Sequence, residues 1–113
     1  MAAASVAALF ALLIVWASVR ANARHAREDR LPMQWWLTGE VTWTAPRIVA
    51  LSFTPALAIP ILAAAAVAAA VLEPRPGQEG LELPVLAALG ATFLAAHLFH
   101  LRLIDRTLRR PRP

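Results

Sequence analysis

Three long apolar runs constrain what this chain can fold into. They cover residues 2–19, 48–72 and 83–103. At about 1.5 Å per helical residue, each run is about 27 Å or longer, which is close to or above the thickness of a bilayer's hydrocarbon core. The runs predict an all-α integral membrane protein with three transmembrane helices.

The composition excludes several other classes. Of the 113 residues, 59% are hydrophobic and 16% are charged, whereas a soluble domain has about 45–50% and about 25%. A soluble chain this short could not bury so much apolar surface. An ordinary soluble enzyme and a disordered tail are therefore excluded. With no cysteine, the chain has no disulfide scaffold, thiolate zinc site or iron–sulfur cluster.

The first run could also be a signal peptide, since residues 21–23 read Ala-Asn-Ala like a cleavage box. No arginine or lysine precedes the run, however, so the positive n-region is missing and a retained span is favoured. We expect the helix to continue with its charged residues to Leu31. Pro32 disfavours helical geometry at the residue before it and predicts the helix end there.

Prolines and small residues distinguish the other two runs. Pro55 and Pro60 predict a kink in the second helix. In the third helix, small residues predict a face for close helix packing, with an alanine-rich genome as the alternative explanation. The residues of this face are Ala87, Gly90, Ala91 and Ala95.

The arginines predict the topology. Five of the eleven lie in an interfacial loop at residues 20–47. Five more lie at the end of the third run and in the basic tail at 104–113. The remaining one lies in an external loop at 73–82. Positive charge marks the cytoplasmic side, so the N-terminus is predicted outside and the C-terminus inside a bacterial cytoplasmic membrane. Because the arginines flank apolar runs rather than form a basic face, no nucleic-acid partner is expected.

The first loop has a distinctive pattern of prolines, glycine and tryptophans. Tryptophan favours the headgroup level of a bilayer, so we interpret residues 32–46 as a loop lying on the membrane surface, with an aromatic ligand cage as the alternative. Gly39 permits a turn with positive φ, and Pro46 is expected to restart a helix near Arg47. The residues of the pattern are Pro32, Trp35, Trp36, Gly39 and Trp43.

The segment from Leu31 to Arg47, LPMQWWLTGEVTWTAPR, resembles the N-terminal module of SdpI-type bacterial membrane proteins, over about residues 5–70. That module has a P-x-H-W-N-x-x-G-x-x-D loop between two helices, a basic residue and an early proline in the second helix. The matching positions here are Pro32, Trp35, Gly39, Glu40, Arg47 and Pro55.

The chain departs from the module at three polar positions. Gln34, Trp36 and Thr42 replace the module's histidine, asparagine and aspartate, and only one span follows the module. The resemblance implies a bacterial membrane protein of the toxin-immunity and signal-relay lineage, and these departures put a shared activity in doubt.

Few residues suggest site chemistry. His97 and His100 share a face of the third helix and could ligate a haem iron or a bacteriochlorophyll magnesium, but wet, unligated histidines near the interface are favoured. Asp105 is expected to pair with Arg102 and Arg109 on its own helix. No metal cluster or enzyme signature is present in the sequence, so neither a catalytic residue nor a cofactor is predicted.

These observations favour a small non-catalytic subunit that packs against a larger bacterial membrane complex of the respiratory or photosynthetic type. An SdpI-like toxin-immunity or signal-relay protein is the first alternative. A membrane anchor that binds haem or chlorophyll through His97 or His100 is the second.

Overall fold

A computed structural model describes residues 2–72, 76–77 and 80–109. Its elements, in chain order, are α1 (Ala2–Arg24), β1 (Arg30–Trp35), β2 (Val41–Pro46), α2 (Arg47–Val71) and α3 (Glu82–Arg109). All three helices are long and apolar enough to cross a membrane, as the sequence predicted. The two strands are an addition that the all-α prediction missed. Half of the predicted external loop and the end of the basic tail lie outside the described residues.

The helix ends differ from the prediction at the arginine-rich side. The first helix ends at Arg24, so its predicted extension to Leu31 is wrong. Residues 25–29 turn instead, and the Arg47 side chain donates to the carbonyls of Ala26 and Glu28 within this turn. The third helix continues to Arg109, six residues into the segment predicted as a tail.

The predicted surface loop folds into an antiparallel β-hairpin. Leu31 pairs with Ala45 and Trp35 pairs with Val41, with irregular register between Pro32 and Trp35. Gly39 has φ 91° in the connecting turn, which confirms the conformation predicted for it. The second helix begins directly after Pro46, at Arg47, which is also as predicted. The fixed φ of Pro46 favours the start of α2, and the positive φ of Gly39 allows the tight turn of the hairpin.

The second helix continues without a break through Pro55 and Pro60, and the predicted kink stays a prediction. Contacts between side chains show that α1 and α2 are antiparallel, because Asn22 bonds Arg47 while Ser18 bonds the Leu51 carbonyl. The first and third helices are parallel.

Two buried clusters hold the helices and the hairpin together. One lies near the first turns of α1 and contains Ala7, Ile14, Ala58, Leu62 and Leu86. The other lies at the hairpin end, where the buried residues of all three helices meet the strands. Its members are Ala21, Leu31, Ala45, Ala50, Leu51, Leu101 and Ile104. The hairpin is therefore part of the core rather than an appendage.

The third helix packs within the chain through a face that only partly matches the predicted one. Gly90 is buried between α3 and α1, as expected, and an added Cβ there would overlap the ring and Cβ of Phe10. Ala87 is half-buried, whereas Ala91 and Ala95 are exposed. The alanine stripe thus faces away from the internal contact, and larger residues of α3 fill that contact. These residues are Leu86, His97, Leu101 and Ile104.

Gly90→Ala is expected to destabilise the bundle by up to about 2 kcal/mol, because overpacking a close contact costs about 1–3 kcal/mol and alanine recovers about 1 kcal/mol of helix propensity. The backbones of α1 and α3 have to separate, since the Phe10 Cβ is itself among the overlapping atoms. The measurement is unfolding in detergent followed by circular dichroism. Ala91→Gly, which removes a methyl group from an exposed position one residue away, serves as the control and should cost no more than the helix-propensity difference of about 1 kcal/mol. Stabilisation of Gly90→Ala by about 1 kcal/mol, the helix-propensity gain alone, would contradict the close approach.

Candidate functional site

The polar side chains of the helices gather at the hairpin end of the bundle. Here α1 ends, α2 begins, and the C-terminal half of α3 passes the two strands. The sequence pointed to His97, His100 and the hairpin tryptophans at this end. The structure adds three residues that sequence analysis did not select as site residues: Ser18, Asn22 and Arg47.

Ser18 links all three helices. Its Oγ lies 2.8 Å from the Leu51 carbonyl oxygen on α2 and 2.7 Å from His97 Nε2 on α3. The Leu51 carbonyl needs this partner because the residue four positions later is Pro55, which has no N–H to donate. A serine on a neighbouring helix therefore satisfies the backbone group that the proline leaves open.

The proton arrangement of this contact follows from counting donors. A serine hydroxyl has one proton, and it is donated to the Leu51 carbonyl. Its oxygen then accepts from His97 Nε2, which places a proton on this ring nitrogen. The opposite arrangement would leave the Leu51 carbonyl without this partner. Nδ1 has no hydrogen-bond partner among the described residues.

His97 is fully buried, so the expectation of a wet histidine at the interface is wrong for this residue. Interior packing of α3 against α1 and α2 places it between the helices, several residues before the first charge of the helix end. Ligation of a haem or bacteriochlorophyll through Nε2 would require breaking the bond to Ser18. The absence of a cofactor stays a prediction.

Asp105 joins α3 to the end of α1. Its carboxylate accepts from Arg24 Nη1 at 2.7 Å and contacts His25 Nε2 at 2.6 Å. The predicted pairs with Arg102 and Arg109 on the same helix do not form. Because the end of α1 lies alongside α3, the carboxylate reaches the Arg24 guanidinium and the buried His25 imidazole in the following turn instead.

Arg47 fastens the turn after α1 to the start of α2. Its Nε donates to Asn22 Oδ1 at 2.8 Å, and its Nη1 donates to the Ala26 and Glu28 carbonyls at 2.9 and 2.6 Å. Its backbone N–H donates to the Asp29 carbonyl. A planar guanidinium can reach several acceptors at once, so this one side chain holds the turn after α1 against the start of α2.

The hairpin stands along α3. Trp35 Nε1 donates to Thr107 Oγ1 at 2.9 Å, and His100 Nε2 lies 3.3 Å from the Pro32 carbonyl, with the Trp35 and His100 rings edge to face at 5.8 Å. Three residues of strand therefore match seven residues of helix, so β1 runs parallel to α3. The predicted position of this segment on the membrane surface stays a prediction.

The hairpin tip carries exposed apolar side chains. Trp36, Leu37 and Trp43 are all more than half exposed. A groove of about 480 Å³ at this tip is lined by Gln34, Trp35, Trp36 and Thr42. These are positions of the loop motif described above, three of them the positions that depart from the SdpI-type pattern.

A second, larger groove runs between α1 and α2 and has a volume of about 510 Å³. Its walls are almost entirely apolar, with Ser18, Asn22 and Ser52 as the polar members. Because Ser18 and Asn22 already bond to α2, the groove offers an apolar surface rather than a reactive one.

The described residues do not show a metal-binding cluster of three or more His, Asp or Glu side chains. Comparisons of this chain with protein-family models, with curated proteins and with solved structures find no match. The polar groups at the hairpin end bond the helices to one another and to the strands, so their role in this structure is to hold these elements together.

Proposed function

We propose that this chain is a small non-catalytic integral membrane protein, an accessory subunit that packs against a larger complex of a bacterial cytoplasmic membrane, of the respiratory or photosynthetic type. The observation that supports it most is the outward-facing apolar surface of three span-length helices. Only 17–22% of each apolar window is buried within the chain. Lipid and a partner protein are the surfaces that suit such helices.

The use of the polar side chains supports a structural role. Ser18, His97, Asp105 and Arg47 all bond between elements of the same chain. Groups committed to such contacts hold a fixed shape, and a fixed shape is what a subunit needs in order to present an apolar face to a partner.

Isolation of the full chain in a mild detergent, followed by mass spectrometry, tests this role. We expect a larger membrane complex to co-purify in fixed stoichiometry. Migration of the chain alone, or with copies of itself only, in several mild detergents would overturn the proposal.

The exposed alanine stripe gives a matched test of the packing face. Ala91→Leu is expected to reduce retention with the complex, because a bulky residue overpacks a close helix contact. Ala96→Leu, also at an exposed position but on the other side of α3, is expected to be tolerated where it faces lipid. Retention is measured after gradient separation. Equal retention of both variants would exclude this stripe as the contact.

The proposed orientation places the hairpin in the cytoplasm. The chain has no native cysteine, so single-cysteine variants report position directly. Leu81→Cys, before α3, is expected to react with an impermeant thiol reagent added to intact cells. Leu37→Cys, at the fully exposed hairpin tip, is expected to react only after the membrane is opened. The reverse pattern would overturn the orientation.

A second candidate function is toxin immunity or signal relay of the SdpI type. The groove at the hairpin tip supports it, because that groove brings Gln34, Trp35, Trp36 and Thr42 of the loop motif together. Expression of the chain would then protect cells against a membrane-active toxin, and Trp36→Ala would remove the protection. Lack of protection by the wild-type chain would exclude this candidate.

A further inference from the structure

A third groove, between α1 and α3 at the hairpin end, is lined by guanidinium groups. Its volume is about 280 Å³. Arg20, Arg24, Arg102 and Asp105 supply its charges, and small or apolar residues of both helices form its floor. The groove is separate from the Ser18 contact and from the hairpin tip.

The charges of this groove do not cancel. Arg24 is paired with Asp105, which leaves two arginines without a carboxylate partner among the described residues. Arg20 lies over the Trp16 ring at 5.0 Å, and a guanidinium stacked on a ring keeps its edge N–H groups available. Arg102 is exposed. Two guanidinium groups with free donors therefore face one groove.

Both free arginines lie at the same depth. Each is the first arginine at the charged end of its helix: Arg20 follows the first apolar run directly, and Arg102 lies one residue before the end of the third. Because α1 and α3 are parallel and Ser18 contacts His97, these two helix ends are level. In a membrane, that level is the boundary between acyl chains and headgroups, where the Trp16 ring is also favoured.

We propose that this groove binds the phosphate of an anionic phospholipid. The Arg20 and Arg102 guanidinium groups donate to the phosphate oxygens, and an acyl chain lies along the apolar floor. Arginine suits this task because its planar donors match a phosphate in pairs. An acidic peptide would match the charge but would leave the apolar floor uncovered. The inference rests on the proposed membrane location and is independent of the accessory role.

The test uses the purified full chain, with native mass spectrometry to count retained lipids. Phosphatidylglycerol and phosphatidylcholine are offered in equal amounts, because both carry a phosphate and only the first has net negative charge. We expect the wild type to retain phosphatidylglycerol preferentially. The double variant R20Q/R102Q is expected to lose about tenfold or more of this preference, because it removes the two guanidinium groups that line the groove without a carboxylate partner among the described residues.

A matched control removes the same charge elsewhere. Arg27 and Arg106 are exposed arginines outside the groove, so R27Q/R106Q should keep the preference within about twofold of wild type, apart from the general surface-charge contribution. R102K, which keeps the charge without the planar fork, should fall between. Helix content by circular dichroism confirms that each variant is folded.

Three results would overturn the proposal. The first is no preference for phosphatidylglycerol in the wild type. The second is an equal loss in both double variants, which would indicate general surface charge. The third is displacement of the lipid by inorganic phosphate at millimolar concentration, which would indicate a free-anion site. Each result leaves the co-purification test of the accessory role unaffected.

Discussion

Ser18→Ala is expected to lower the free energy of unfolding by about 2–4 kcal/mol, because two buried polar groups lose their partner at about 1–3 kcal/mol each. The groups are the Leu51 carbonyl and the His97 Nε2–H. Denaturant titration in mixed micelles, followed by circular dichroism, measures the change. Ser52→Ala is the matched control, since this exposed serine lies one residue beyond Leu51, and its loss should cost under about 0.5 kcal/mol.

A double-mutant cycle tests the cause of this loss. Pro55→Ala restores an N–H that can donate to the Leu51 carbonyl within α2. In that background, Ser18→Ala should cost about half as much, because only the His97 N–H remains without a partner. The same cost in both backgrounds would show that the proline does not create the need for Ser18.

Arg47→Ala is expected to lower the free energy of unfolding by about 2–4 kcal/mol. Three hydrogen bonds of a charged group are lost, and such bonds contribute about 1.5–3 kcal/mol each before water replaces part of them at the exposed end. Arg47→Lys should be intermediate, because an ammonium group cannot reach Asn22 and two carbonyls in one plane.

In Arg47→Ala, the hairpin and the helices should unfold in separate transitions. Trp16 lies on α1 and the other three tryptophans lie in the hairpin, so in a Trp16→Phe background tryptophan fluorescence reports the hairpin and circular dichroism reports the helices. In Arg47→Ala the fluorescence transition should come first. Arg30→Ala is the control, since its guanidinium bonds Thr44 on the adjacent strand at an exposed site and should contribute under about 1 kcal/mol. Coincident transitions in Arg47→Ala would contradict its role as the connection.

The helices could be predicted from sequence because apolar runs of spanning length have few alternative structures. The turn at Gly39 and the helix start after Pro46 were predictable for a similar reason, since each depends on the φ of one residue. The end of the first helix was not, because it is set by Arg47, which lies more than twenty residues later and takes up the carbonyls that follow Arg24.

The candidate site was harder to predict because its contacts join distant segments. Ser18 is an ordinary small residue in an apolar run, and only the arrival of Pro55 and His97 beside it gives it a role. Asp105 had arginines of suitable spacing on its own helix, yet Arg24 and His25 bind it. Local spacing ranks partners within a helix, and it contains no information on which helix packs alongside.

Contacts between α1 and α3 occur at a nearly constant separation in sequence. Phe10 meets Gly90, Ser18 meets His97 at a separation of 79, and Arg24 meets Asp105 at a separation of 81. Sliding α3 by one turn, about 5.4 Å, would break the polar contacts together and drive a larger residue against Phe10. The position of α3 along its axis, relative to α1, is therefore fixed. A displacement of α1 along its axis has to carry α3 with it, since a piston stroke of one helix past the other would break these contacts.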